Sequence, residues 1–149
     1  LQEQPSFFIN LSKFESLQEL NLAFYSIFKT ITDAVEHQNS SKNDQIASAV
    51  HQYISTRFSD PTLSIDAIAD SLGLSSSYLG RVYKSVTGHT ILEHILEVRM
   101  QEARRLLTDS NLSVAEISEQ CGFSSDSYFY KIFRQENGTT PAAYRKGKH

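Results

Sequence analysis

Residues 63–84 read LSIDAIADSLGLSSSYLGRVYK, and residues 112–134 repeat the same pattern as LSVAEISEQCGFSSDSYFYKIFR. The two stretches match position for position from Leu63 over Leu112 and, after one inserted residue, match again from Tyr78 over Tyr128. Self-similarity of this kind indicates that one supersecondary unit has been used twice. The sequence therefore predicts two copies of one small structural unit.

Each copy carries the local signals of a helix, a tight turn and a second helix. In the first copy, Ser64 can cap a helix whose apolar residues recur at helical spacing. Gly73 can take the left-handed conformation that ends this helix, and Ser75 can cap the next one. In the second copy, Ser113 and Glu116 form a capping box. This pattern is typical of a helix-turn-helix. The residues predicted to be buried on the second helices are Tyr78, Leu79, Val82, Tyr83 and Val86 in one copy and Phe129, Ile132 and Phe133 in the other.

An amphipathic run between the copies, capped by Thr90, predicts one long connector helix. At 1.5 Å per residue such a helix spans about 28 Å, close to the roughly 34 Å between successive major grooves on one face of B-DNA. A single chain could thus place both second helices in adjacent major grooves. The predicted bounds are about 64–88 for the first helix-turn-helix, about 90–109 for the connector, and about 113–138 for the second helix-turn-helix, whose second helix begins at Ser124 or Ser125.

Residues from about Asp44 to Arg145 resemble the DNA-binding domain of AraC/XylS-type transcription regulators. The likeness covers the whole tandem unit and closes with Thr140-Pro-Ala-Ala-Tyr-Arg, which is similar to the C-terminal signature of that family. The chain departs from the family pattern at His94, where Tyr is usual, and at Gly80 and Tyr130 on the two second helices.

The resemblance implies an all-α fold with two helix-turn-helix subdomains joined by a long connector helix and preceded by an N-terminal helical extension. Residues 1–43 would form the extension and residues 44–149 the DNA-binding domain. The implied function is sequence-specific binding of double-stranded promoter DNA, with two recognition helices in successive major grooves, followed by recruitment of RNA polymerase as an activator. No cofactor and no metal are expected.

The same resemblance, together with helical geometry, predicts which residues meet DNA. We expect Arg81 to contact guanine with two hydrogen bonds. Asp126 can accept from cytosine or serve the positive end of its own helix. Lys84 and Arg134 are either phosphate contacts or solvated helix ends, and the register of the repeat favours phosphate contacts. The predicted base-reading residues are Ser76, Ser77, Gly80, Arg81, Asp126, Ser127, Tyr130 and Lys131. The predicted phosphate contacts are Ser75, Lys84, Thr90, Ser124 and Arg134.

Other polar residues are assigned structural roles. The connector arginines Arg99, Arg104 and Arg105 are expected to pair along their own helix with Glu97, Glu102 or Asp109. The histidines His51, His89 and His94 are scattered along the chain and are expected to be structural rather than metal ligands. Cys121 repeats the position of Leu72 and is expected to be a small buried apolar group.

The N-terminal segment carries weaker signals. Apolar residues in Ser16–His37 alternate at three- and four-residue spacing, which gives three short heptads. This helix either packs on the DNA-binding domain or forms a dimerising coiled coil. Residues 39–43 (Asn-Ser-Ser-Lys-Asn) are predicted to be a linker. Because the chain begins at Leu1 without a methionine, we expect it to be part of a longer protein whose upstream domain is a second possible dimer contact.

Charge and composition set limits on the partner and the compartment. The net charge of −3 argues mildly against nucleic acid, but residues 75–89 hold two cations and no acids. One cysteine allows no intrachain disulfide and favours a reducing, cytoplasmic location. No apolar run approaches the length of a membrane span, so no membrane contact is expected.

Two other classes of function explain the sequence less well. A DNA-alkylation repair enzyme can carry this same kind of domain, but it needs a cluster of cysteines to bind zinc and accept a methyl group, and only Cys121 is present. An all-helical module that binds an acidic protein predicts no matching register of cations between the copies. We therefore expect a DNA-binding protein that is not an enzyme.

Overall fold

The fold is all-α, as predicted. The computed structural model describes residues 16–147, and its regular elements there are seven α-helices: α1 (Leu17–Arg57), α2 (Ile65–Leu72), α3 (Ser76–Thr87), α4 (Ile91–Asp109), α5 (Val114–Gln120), α6 (Asp126–Asn137) and α7 (Pro141–Lys146). The first fifteen residues of the predicted extension and the last two residues of the chain lie outside the described residues.

The prediction of a linker at residues 39–43 is wrong, because this segment belongs to α1. The segment contains no glycine or proline, and its serine, asparagine and lysine residues cost a helix only a few tenths of a kcal/mol each. Polar composition alone therefore does not end the helix. The chain divides into two compact units between Lys42 and Asn43.

The second unit contains two separate hydrophobic clusters. The first is formed by the end of α1, by α2 and α3, and by the first half of α4, and its buried residues are Ala47, Val50, Ile54, Ile68, Ala69, Leu79, Tyr83, Ile91 and Ile95. The second is formed by the rest of α4, by α5 and by α6, and its buried residues are Met100, Ala103, Leu106, Leu107, Ile117, Cys121, Phe123, Phe129 and Phe133. The two clusters share no residue, so each helix-turn-helix has a core of its own.

The inserted residue of the repeat lies in the second turn. Ser75 caps α3 by accepting a hydrogen bond from the Tyr78 N–H at 3.3 Å, and Ser125 caps α6 by accepting one from the Tyr128 N–H at 3.4 Å. Of the two residues left open by the sequence, Ser125 is therefore the cap, and Ser124 belongs to the turn. As a result α3 and α6 correspond residue for residue at a constant offset of fifty.

The core confirms most of the predicted buried positions. Cys121 is fully buried, and desolvation raises the pKa of its thiol to about 12, so it behaves as the expected apolar group. Val86, in contrast, was expected on the buried face of α3 but is 40% exposed. It lies in the last turn of α3.

The connector arginines only partly follow the prediction. Arg105 pairs with Glu102 at 2.6 Å, as expected. Arg104 instead donates to the side chain of Asn137 at 3.3 Å. Arg99 donates from Nε and Nη2 to the carbonyls of Phe58 and Asp60, both at 2.8 Å. Because α4 packs between neighbouring elements, these two side chains meet other segments rather than acids of their own helix.

The helix that follows each copy carries an arginine, and the two arginines make similar contacts. Arg145 of α7 donates from Nε to the Leu107 carbonyl at 3.2 Å and from Nη2 to the Leu112 carbonyl at 2.6 Å. Leu107 stands over Phe58 in the register that places Leu112 over Leu63. Each copy thus has the same carbonyl bound by an arginine from the helix that follows the copy.

Two histidines that are far apart in sequence meet in the first cluster. His51 Nδ1 lies 3.0 Å from His94 Nε2, and the Tyr83 hydroxyl lies 3.3 Å from His51 Nε2. His94 Nδ1 lies 3.6 Å from a Glu97 carboxylate oxygen. Burial, and then the neighbouring His51, lower the pKa of His94. His51 and His94 thus have the structural contacts expected of them, but they are not scattered in space.

We expect acid to destabilise the fold through His94. The pKa of His94 is lower in the folded chain, so the unfolded chain binds more protons at this residue as the solution becomes acidic. The stability that depends on neutral His94 is therefore fully present above about pH 6.5 and is lost as the pH falls through the folded pKa. Urea titrations between about pH 7.5 and 5.5 should show a steeper loss of unfolding free energy in the native chain than in His94→Gln. His37→Gln is the control, and equal slopes for native chain and His94→Gln would refute the assignment.

We expect Arg145→Ala to lower the free energy of unfolding by about 2–3 kcal/mol, because it removes two charge-assisted hydrogen bonds to carbonyls. Lys146→Ala, an exposed neighbour on the same short helix, should change it by less than about 0.5 kcal/mol. Urea denaturation of the two variants makes the comparison, and equal losses would show that the Arg145 contacts contribute little.

Candidate nucleic-acid interface

The helices α3 and α6 each bury one face in their own helix-turn-helix and present the opposite face to solvent. A small, fully buried residue lies where the first helix of each pair crosses the second: Ala69 in α2 and Ser118 in α5. The chain turns back at Gly73 and Gly122, and the next residue donates its N–H to the carbonyl of Ala69 or Ser118. The two crossings are built in the same way, and they expose equivalent faces.

Four cations stand on these exposed faces at equivalent positions, Arg81 with Lys131 and Lys84 with Arg134. Within residues 16–147, no hydrogen bond or ion pair engages the side chains of these four residues. The arginines of α4 and α7, in contrast, all form hydrogen bonds within the protein. The fold does not need the four cations of α3 and α6, so they are available to a ligand.

On α3, two of the predicted base-reading residues face the preceding helix. The Ser76 hydroxyl donates to the carboxylate of Asp66, which joins the starts of α2 and α3. A Cβ on Gly80 would lie 3.2 Å from Ile65 Cδ1. The missing side chain at Gly80 therefore has a packing reason, and this position does not point away from the protein. Ser77 is exposed beside Arg81.

On α6, the predicted residues are more exposed. Asp126 is the first residue of the helix, where a carboxylate stabilises the positive end of the helix dipole. Ser127 is exposed, and Tyr130 is 41% exposed with its ring at right angles to that of Phe129. The two recognition helices consequently present different surfaces, because Tyr130 occupies the position that Gly80 has in α3.

The predicted phosphate contacts separate into two groups. Ser75 is exposed at the start of α3, and Ser124 is exposed in the turn before α6. Thr90 forms a capping box with Glu93, whose carboxylate accepts from the Thr90 N–H at 2.7 Å and from its hydroxyl at 2.9 Å. These hydrogen bonds lower the pKa of Glu93 and keep it ionised. A negative charge at this place argues against a phosphate contact at Thr90.

The sequence pattern did not predict that Tyr128 is exposed on the same surface. It stands over Tyr78, which is half-buried and was expected to be a core residue. Tyr128 is instead 45% exposed in the first turn of α6, beside Phe123. A phenol hydroxyl at a helix start is a common donor to phosphate oxygens. Its exposure was not visible in the repeat, because the register equates it with a half-buried residue.

Neither a metal centre nor a membrane span is found in the part of the chain that the structure describes. No group of three or more His, Cys, Asp or Glu side chains between residues 16 and 147 could hold a metal ion. No helix in that range is both long and apolar enough to cross a bilayer.

Comparison with known proteins identifies the family. A family model described as a helix-turn-helix domain matches residues 68–147, more than half of the chain. The Msm operon regulatory protein of Streptococcus mutans is 38% identical over 116 residues, which cover 75% of this chain and 40% of that protein. The chain thus spans less than half the length of this curated relative.

Two solved structures share the fold. The DNA-binding domain of AdpA, a global transcriptional factor solved in complex with a target DNA, has a TM-score of 0.64 at 29% identity, over 68% of this chain and 90% of that one. A transcriptional regulator from Chromobacterium violaceum, described by its AraC-type DNA-binding domain, has a TM-score of 0.62 at 28% identity, over 71% and 94% of the two chains. The chain therefore belongs to the AraC-type helix-turn-helix family of DNA-binding transcription regulators.

Proposed function

We propose that this chain binds a specific sequence in double-stranded DNA by placing α3 and α6 in successive major grooves. The observation that carries the proposal is the pair of matched recognition helices with four solvent-facing cations in register. Cations that the fold leaves unused can meet phosphates and guanine edges, and the fifty-residue register gives both helices the same contact geometry. The AdpA domain, which was solved on a target DNA, supports this choice of ligand.

The residues divide between reading bases and holding phosphates. Arg81 is the residue best suited to a guanine, because its guanidinium can donate two hydrogen bonds to one base edge. Lys131 takes the equivalent place in the second groove. Lys84 and Arg134, near the ends of their helices, would hold phosphates. Other exposed polar and aromatic side chains complete the surface, and this group consists of Ser75, Ser77, Ser124, Asp126, Ser127, Tyr128 and Tyr130.

The biological role we propose is transcription activation by recruitment of RNA polymerase to a promoter. The name of the Streptococcus mutans relative, an operon regulatory protein, supports a regulatory role. This role needs no catalytic step and no cofactor, and it takes place where promoter DNA is found, in the bacterial cytoplasm.

The N-terminal part of α1 has an apolar surface that is available for a further contact. Several large apolar side chains there are exposed, among them Leu17, Leu22, Tyr25 and Phe28. Exposed apolar patches of this kind mark interaction sites. We propose that residues 16–37 contact a second copy of the chain or an upstream domain of the same protein.

The proposal predicts a bipartite DNA site. Selection of bound duplexes from a random pool should enrich two half-elements about one helical turn apart. Arg81→Ala should relax the sequence preference within one half-element, and Lys131→Ala should relax it within the other. Each variant should lose about fivefold to a hundredfold in affinity for the native site. Lys42→Ala, outside the interface, is the control. No enrichment at low salt would refute sequence-specific binding and favour an acidic protein partner.

The phosphate contacts predict a different signature. The double variant Lys84→Ala, Arg134→Ala should weaken all duplexes by a similar factor and should make the slope of log affinity against log salt shallower by about 2. Electrophoretic titrations at several salt concentrations measure this slope. A loss confined to one sequence, with the slope unchanged, would mean that these side chains read bases.

A further inference from the structure

We propose that Arg99 is a positioning residue that fixes the distance and angle between α3 and α6, and thereby the spacing of the two DNA half-elements. The part that concerns DNA rests on the proposed function. The part that concerns the two helices rests on the protein alone, and it can be measured without DNA.

The need for such a residue follows from the two separate clusters. Each helix-turn-helix buries its own apolar residues, and no residue belongs to both clusters. The angle between the two halves is therefore not set by a common core. The connector α4 joins them, and Arg99 lies in the middle of α4, between Ile95 of the first cluster and Met100 of the second.

The Arg99 side chain touches both halves. It is only 8% exposed, and its two hydrogen bonds hold the carbonyls of Phe58 and Asp60 in the loop between α1 and α2. Its guanidinium carbon lies 5.5 Å from the ring centroid of Phe123, which belongs to the second helix-turn-helix. Cation–π attraction and the charge-assisted hydrogen bonds thus act on opposite sides of the junction.

The loop that Arg99 holds is itself well ordered by local bonds. The Asp60 carboxylate accepts from the Thr62 N–H at 2.8 Å and from its hydroxyl at 2.7 Å. The Asp60 carbonyl accepts from the Leu63 N–H as well as from Arg99. The loop directly follows the negative end of α1, which favours a cation there. Arg99 therefore binds a preformed group of acceptors.

Gly122 provides a second contact across the same junction. It has a φ of 79°, and a Cβ at this position would lie 2.5 Å from the Phe58 carbonyl oxygen and 3.0 Å from Arg99 Nη2. Gly73, at the equivalent turn of the first copy, has a φ of 65° and nothing within 4 Å of such a Cβ. The two glycines share the backbone conformation, and only Gly122 meets the other half of the protein.

Arg145 also binds two backbone carbonyls, but it does so within one half of the protein. It binds the carbonyls of Leu107 and Leu112, and these two residues and α7 all lie in the half of the protein that contains the second cluster. Its hydrogen bonds close one helix-turn-helix and connect nothing to the first. Arg99 therefore differs from Arg145 in the feature that the proposal requires.

The first experiment measures the distance between α3 and α6 directly. Spin labels are attached through Ser77→Cys and Ser127→Cys in a Cys121→Ala background, and the distance distribution is recorded by pulsed electron spin resonance. We expect one narrow distribution for this labelled reference. Arg99→Met should broaden or shift it, and Arg99→Lys, which keeps a charged donor, should give an intermediate result.

The glycine pair supplies the matched control. Gly122→Ala and Gly73→Ala both place a side chain on a left-handed backbone, and the contacts of the new Cβ with Phe58, Ser59 and Arg99 distinguish the Gly122 variant. We expect Gly122→Ala to change the distribution and Gly73→Ala to leave it as in the reference. Circular dichroism verifies that each variant is folded. If Arg99→Met does not fold, the two glycine variants decide the question.

The second experiment uses unlabelled protein and the selected DNA site with its half-elements moved apart or together by one or two base pairs. Each base pair adds about 3.4 Å and about 34° of rotation, so a rigid protein should prefer its best spacing by about tenfold or more. Arg99→Met should reduce this preference to about threefold or less.

The outcomes separate the two proposals. Folded Arg99→Met and Gly122→Ala proteins with the reference distance distribution would overturn the role of Arg99. A changed distribution together with a native chain that selects no DNA site would support the role of Arg99 in the protein and refute the proposed function. A changed distribution with an unchanged spacing preference would overturn the claim that Arg99 sets the DNA spacing.

Discussion

A single buried guanidinium lies where the two halves of the DNA-binding unit meet. Arg99 holds two carbonyls that follow α1 and lies against Phe123 of the second helix-turn-helix. The two hydrophobic clusters share no residue, so no common core fixes the relation between the two halves. A protein that reads two grooves at once needs this relation to be stiff, since DNA offers its grooves at a fixed spacing.

Two groups of cations in the described part of the chain differ in their surroundings. Arg99, Arg104 and Arg145 bind carbonyl or amide oxygens of other segments and are largely withdrawn from solvent. The cations of α3 and α6 are exposed and have no such partner within the described residues. Arginine occurs in both groups. Whether a cation serves the fold or a ligand depends on what the fold places around it.

The local features of the fold were predictable, because they depend on neighbours in sequence. The capping serines, the capping box at Ser113 and Glu116, the turn glycines and the apolar spacing all act within about four residues. The register of the repeat then predicted which cations share a face, as Arg81 and Lys131 do. The exception among local features is the segment 39–43, where polar composition predicted a linker and the helix continues.

The sequence by itself determined the helices, the tandem helix-turn-helix and the equivalent cations, because periodicity, caps and repetition are written in consecutive residues. Only the tertiary structure decided which partners distant residues have. It brought His51 to His94, turned Arg99 away from the acids of its own helix toward Phe58, and packed Gly80 against Ile65. Such contacts depend on how helices cross, and the crossing is set by the packing of whole side-chain surfaces rather than by any short stretch of sequence.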